Sequence, residues 1–220
     1  MAAEDYLTDE EQGEALKKWF SDNWVWMLAG VVLALLALAG WQRYQAYRAD
    51  RSASAAQLLE QLSASQSDEA KTTSLLKQLS SDYAATPYAD QAHLLVAQQA
   101  VQAGKFDQAA SELRTVMDSA HDEQLRLVAR VRLARVLIQQ QKADEALQLL
   151  DVSKAGAFAA QVHEVRGDAL YSKGDRTGAR AEYQSALDAA RGEAGVDTSL
   201  LQLKADELSG DVPAQAESAK

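Results

Sequence analysis

The sequence predicts an all-α protein: a single transmembrane helix near the N-terminus, followed by an α-solenoid of stacked helical hairpins. Three observations predict it. Residues 23–42, NWVWMLAGVVLALLALAGWQ, hold no charged side chain. Three later segments share a helix, a tight turn and a second helix with an alanine at the same place, Ala109, Ala146 and Ala179, 37 and 33 residues apart. Only Pro87 and Pro213 interrupt a chain otherwise rich in Ala, Leu, Gln and Glu, which are strong helix formers.

Residues 1–22 form a short acidic tail, with seven carboxylates against Lys17 and Lys18. Thr8 followed by Glu11 fits a capping box, opening a short helix with Leu16, Trp19 and Phe20 on one side. That face either lies on the membrane surface or simply leads into the span. Ser21, Asp22 and Asn23 offer caps for the spanning helix.

The span occupies residues 23–42. From Trp24 to Trp41 a helix covers about 27 Å, close to one hydrocarbon core. Trp24 and Trp26 at one end and Trp41 at the other suit headgroup depth, and Tyr44 and Tyr47 extend that belt. Ala37-Leu38-Ala39 before Gly40 invites a rival reading as a cleaved secretory signal. A signal leader is short and basic whereas this one is acidic, so an uncleaved anchor is preferred. Gly30, Ala34 and Ala37 fall on one stripe where small side chains let another helix approach in lipid. Orientation stays open: Lys17 and Lys18 before the span oppose Arg43, Arg48 and Arg51 after it, a difference too small to decide.

Residues 43–65 continue without a breaker as a helical stalk, with Leu58, Leu59 and Leu62 at helical spacing. The repeat domain is assigned to residues 66–208. Asp68 caps a helix running to about Tyr83, with Leu75, Leu76 and Leu79 inward, and Pro87 marks the next boundary. The hairpins then follow at residues 100–116, 137–153 and 170–186. Their spacing brackets the tetratricopeptide repeat of about 34 residues. The third copy is the most regular, with Gly167 in its first helix, Gly174 at its turn, and Ala179, Tyr183 and Ala186 in its second. Gly104 and Phe106 serve in the first copy. In the second, Gln141 replaces the turn glycine, which weakens the match there. An alanine where two helices cross permits close approach, and a turn glycine tolerates a left-handed backbone. Residues 196–208 read as a terminal helix with Leu200, Leu201 and Leu203 on one side, and residues 209–220 as a disordered tail.

Composition excludes several functions. A net charge of −10 disfavours nucleic acid, and the absence of cysteine removes disulfides, thiol catalysis and thiolate metal sites. His93, His121 and His163 lie in separate segments without a second ligand at metal spacing. No phosphate-binding loop, dinucleotide fingerprint, nucleophile elbow or zinc-protease motif occurs. We therefore expect no enzyme, no cofactor, no metal and no small-molecule substrate. Arg126, Arg130, Arg132 and Arg135 share one helix. Either they grip an acidic segment of a partner or client, with Arg126 and Arg130 the candidates, or they pair with acids such as Asp122 and Glu123 and lay their stems over apolar neighbours.

Two long motifs, DEQLRLVARVRLARVLIQQQKADEAL at residues 122–147 and RGDALYSKGDRTGARAEYQSAL at residues 166–187, resemble the YfgM family of bacterial inner-membrane proteins. The acidic tail ending in ALKKWFSDN, the single span and the stalk extend the resemblance over nearly the whole chain, least well at residues 63–90 and the C-terminal tail. It implies a single-pass inner-membrane protein with a cytoplasmic N-terminus and a periplasmic repeat domain. It also implies an accessory role at the SecYEG translocon, in complex with the chaperone PpiD, assisting secreted client proteins as they emerge. Two alternatives are a membrane-anchored regulator that sequesters a stress-response component, and a scaffold of another envelope complex.

Overall fold

The computed structural model describes residues 9–65, 68–120, 122–191 and 198–208, and among these every regular element is helical. The chain divides into two units between Ser54 and Ala55. The capping residue Thr8 and the tail at 209–220 lie outside the described residues.

The first unit contains most of α1, Asp9–Ala64, an uninterrupted helix. Residues 21–23 therefore start nothing: Asn23 turns its side-chain amide back to the carbonyl of Trp19 at 2.9 Å, the i−4 bond available to a polar side chain inside a helix. The apolar side chains of the span stay exposed, Leu33 at 68 % and Leu36 at 64 %. Such a surface is at ease in hydrocarbon, where a helix satisfies every backbone group internally. At its C-terminal end Arg48 and Arg51 stack over Tyr44 and Tyr47 at 5.8 and 5.6 Å, each one turn back along the helix.

The second unit is built from antiparallel helices. The last turns of α1 share a core with α2, Glu69–Asp82, and α3, Pro87–Gln102, through Ala55, Leu62, Leu75, Leu79, Ala92 and Val96. Asp68 caps α2 by accepting from the Lys71 amide at 3.0 Å, and Pro87 opens α3, where its missing N–H costs nothing.

Three hairpins follow. Helix α3 pairs with α4, Phe106–Ser119; α5, Glu123–Gln139, with α6, Ala143–Leu149; and α7, Ala159–Ser172, with α8, Arg176–Ala190. All three turns have the same hydrogen bonds. In each, an amide reaches five residues back (Lys105 to Ala100, Lys142 to Leu137, Asp175 to Leu170) while the preceding amide reaches three back. This is the Schellman ending of a helix, and it requires a left-handed residue between. Gly104, Gln141 and Gly174 take that place with φ of 71, 62 and 84°. The second turn thus keeps the geometry although its residue is not glycine.

Where the helices of a pair cross, Ala109, Ala146 and Ala179 are wholly buried. Twelve residues earlier the facing helix offers Ala97, Ala134 and Gly167, and four residues later the chain offers Leu113, Leu150 at the end of α6, and Tyr183. The pairs match in size. A Cβ on Gly167 would stand 2.5 Å from the Tyr183 ring, so the larger side chain of the third hairpin depends on the smaller partner. The second hairpin departs in length: α6 stops after seven residues, because Asp151 draws the amide and hydroxyl of Ser153 to its carboxylate at 3.0 and 2.7 Å and starts a 3-10 turn instead. Those bonds hold the Asp151 carboxyl below its ordinary pKa.

Successive hairpins are also tied at their turns. Gln140 donates to Asp107 at 2.8 Å, and Lys173 pairs with Asp144; both links join the end of a first helix to the second position of the preceding second helix. The array ends on α9, Ser199–Glu207, whose Leu201 packs with Ala205 and Leu208 against α8. Leu200 and Leu203, expected on the same side as Leu201, face outward at 57 and 65 % exposure, since positions 200 and 203 share a helix face that 201 does not.

Two stability outcomes follow. Gln141→Gly should raise, and Gly174→Ala lower, the free energy of unfolding by about 1 kcal/mol, the penalty of a left-handed side chain, read from urea midpoints by far-UV circular dichroism. Gly167→Ala should cost about 1–3 kcal/mol by overpacking, and a second change, Tyr183→Leu, should recover part of the loss by restoring the size pairing of the other hairpins.

Candidate functional site

Helix α4 packs against both α3 and α5, which make little contact with each other. The opening is a groove of about 790 Å³, lined by Phe106 and Leu113 of α4 between Leu94 and Val101 of α3 and Val136 of α5. A second hollow of about 460 Å³ adjoins it, between Leu59 and Glu60 in the last turns of α1 and Leu95 of α3. Leu94, Gln98 and Arg132 line both, so the two form one surface across the first helices of successive hairpins. Val101 is 40 % exposed there, and Gln98, Gln102 and Gln139 supply amides that can bond a peptide backbone. Apolar floor, glutamine walls and two arginines suit a polypeptide segment.

A charged network stands at one end. Lys204 of α9 bridges two acids of α7, reaching Glu164 at 2.9 Å and Asp168 at 2.8 Å. Glu164 also accepts from Arg135 of α5 at 3.2 Å, and Asp168 from the Tyr183 hydroxyl of α8 at 2.8 Å. Four helices meet through these groups, and Asp168 lies on the groove lining. Burial pulls the Lys204 ammonium down, but its bonds to Asp168 and Glu164 outweigh that and leave its pKa above the ordinary lysine value. Burial, and then the hydrogen bond to Asp168, push the Tyr183 phenol well above its ordinary value.

The sequence-predicted residues divide between scaffold and groove. Ala109, Ala146, Gly167, Ala179, Tyr183 and Ala186 are buried at helix crossings, Gly104 and Gly174 sit at turns, and Phe106 reaches the groove. Arg126 and Arg130 are half-buried and away from the groove lining. Among the described residues neither makes an ion pair, and the buried Nε of Arg126 has no hydrogen-bond partner. The groove instead receives Arg132 and Arg135, which are exposed. Asp122, expected to pair with this helix's arginines, caps it by accepting from the Gln124 amide at 2.8 Å.

Sequence reasoning missed a repeated clamp. His93 of α3 meets Glu112 of α4 at 2.6 Å, and His163 of α7 meets Glu182 of α8 at 2.7 Å. Both spacings are 19 residues, and both pairs lie at the same offsets from the crossing alanine; that shared interval was the available signal. In the second hairpin the same places hold Arg130 and Leu149, so no clamp forms. Arg166 ties the gap differently, donating to Glu182 at 2.8 Å and to the carbonyl of Leu150 at 3.0 Å, where the short α6 ends. Among the described residues no group of acids and histidines is arranged to hold a metal.

Comparison with known proteins bears on this architecture. The family model described as tetratricopeptide repeat-like domain matches residues 17–210. An ancillary SecYEG translocon subunit of Escherichia coli K12 is 36 % identical over 185 residues, covering 83 % of this chain and 88 % of its own. Proteins of the same name from Neisseria gonorrhoeae and Aggregatibacter actinomycetemcomitans are 28 and 29 % identical, each covering 92 % of this chain and 98 or 99 % of their own. No solved structure matches significantly.

The charged network yields an alkaline signature. Both Lys204 and Tyr183 have pKa values raised on folding, so each stabilises fully below its unfolded value, 10.5 and 10.0, and the gain is lost as pH rises through the folded value. Thermal scans of the detergent-solubilised chain should therefore show stability falling once pH exceeds about 10. Lys204→Met should lower stability at neutral pH by about 1–3 kcal/mol, because two carboxylates lose their cation, and should flatten the alkaline fall.

Proposed function

The chain belongs to the YfgM family of ancillary SecYEG translocon subunits, and from that premise we propose that it is a non-enzymatic docking module tethered beside the SecYEG translocon. The span fixes it in the bacterial inner membrane, with the N-terminal tail cytoplasmic and the repeats periplasmic. There the groove across α3 and α5 holds segments of partner proteins: the chaperone PpiD, or secreted chains as they emerge. Gly30, Ala34 and Ala37 offer the face that a neighbouring transmembrane helix would meet, since small side chains let helix backbones approach closely in lipid. Arg126 and Arg130, outside the groove lining, would serve a second, rim-like contact.

The observation that carries this reading is an apolar groove with amide-bearing walls in a repeat array, on a chain whose first helix holds an uncharged, exposed apolar run at residues 23–42. Tethering supports it energetically. A domain confined near its partner meets it at effective concentrations of about millimolar, so a groove of modest affinity suffices.

Affinity isolation from gently solubilised membranes should recover translocon subunits and PpiD together with the chain. Protease added to intact spheroplasts should remove the repeats. Recovery of neither partner, or repeats that survive the protease, would overturn the assignment.

A further inference from the structure

Of the two arginines on the groove lining, one is unpaired among the described residues. Arg135 is held by Glu164, and Lys204 by Glu164 and Asp168. Lys105 and Lys173 are likewise held, by Glu69 and Asp144. Arg132, one turn before Arg135 on the same helix, makes no ion pair or hydrogen bond among the described residues and is exposed. It also stands where the two hollows meet, lining both. Its guanidinium stands exposed between apolar walls, where the fold supplies it no acid among the described residues.

The surrounding charges sharpen the point. The larger hollow has Asp168 on its lining and the smaller has Glu60 on its own, while Arg132 is common to both. Asp168 is already neutralised by Lys204 and Glu60 is itself an acid, so an incoming carboxylate finds its unpaired cation at the junction. Apolar side chains suit the positions on both sides, over Val101 and Val136 in one hollow and over Leu59 and Leu95 in the other. Covering these walls also removes water from the arginine, which strengthens a guanidinium–carboxylate bond.

We propose that Arg132 is the anion anchor of the groove, and that the segment it receives carries an acidic side chain flanked on both sides by apolar residues. This rests on the docking role proposed above and names the class of peptide that role would select. The residue acts by recognition alone: bidentate N–H donation to a carboxylate, with the apolar neighbours supplying non-directional burial.

The test uses the full chain in detergent micelles and three fluorescent ten-residue peptides of Leu, Val and Ala that differ at one central residue: Glu, Gln or Lys. Fluorescence anisotropy should show the Glu peptide binding about tenfold more tightly than the Gln peptide, as a charge-assisted bond formed in a desolvated groove would give. Arg132→Gln should abolish that preference by weakening the Glu peptide far more than the Gln peptide, and Arg132→Glu should turn the preference toward the Lys peptide. Arg180→Gln, on α8 outside the groove, should change nothing. Val101→Glu, at an exposed wall position, should weaken all three peptides.

If all peptides bind equally and Val101→Glu still weakens them, the groove docks polypeptides but Arg132 is not its anchor. A Glu preference that survives Arg132→Gln overturns the proposal in the same way. If no peptide binds, both the anchor and the groove fall. Conversely, a peptide preference that depends on Arg132, in a chain that isolates without translocon subunits, keeps the anchor and removes only the assignment to SecYEG.

Discussion

Close approach of two helices at a fully buried alanine is the constraint on which the repeat array depends. Ala109, Ala146 and Ala179 have no exposed surface, and the residue facing each crossing is never larger than alanine. Interiors pack at crystal-like density, so such a crossing fixes the distance between helices and the place of every larger side chain near it. Leu113, Leu150 and Tyr183 follow from it, and the exchange of alanine for glycine at Gly167 follows from Tyr183. A hairpin with its axis spacing set in this way still cannot cover its apolar side alone, and stacking supplies the cover.

The groove is a by-product of the same geometry. Because each second helix packs between two first helices, successive first helices can splay, and α3 and α5 do so. Function then needs no special loop. It needs side chains on the splayed faces that the scaffold leaves idle, and Val101, Gln102 and Arg132 are of that kind.

Much of this was legible in the sequence where the signal is local or periodic. The uncharged run at residues 23–42, the crossing alanines and the turn glycines are read from spacing alone, because a helix face and a left-handed turn constrain residue type strongly. Gln141 shows the limit of such rules: neighbouring hydrogen bonds enforced a left-handed backbone on a residue that does not favour it. The residues at 21–23 show another, for capping chemistry within a helix that simply continues is spent on i−4 carbonyls. What stayed hidden joins distant positions through common residue types. Lys204 meets Glu164 across 40 residues, and Arg135 meets Glu164 across 29. Lysines and glutamates are frequent enough that only the fold selects among them. The histidine–glutamate clamps were discoverable in principle, since their interval recurs, but one hairpin of three lacks them and the period is broken there.

The latch formed by Lys204 has a consequence for how the molecule comes into being. Among the described residues each hairpin makes its main contacts with its neighbours, so the array can condense in the order in which it is synthesised, without long loops to close and without oxidation. Glu164, Asp168 and Tyr183 nevertheless wait for a cation supplied from α9. Until that helix arrives, the third hairpin carries two partly buried acids beside only Arg135. Arrival of α9 is thus recorded chemically, as the neutralisation of a site that any product ending before Lys204 would leave negatively charged.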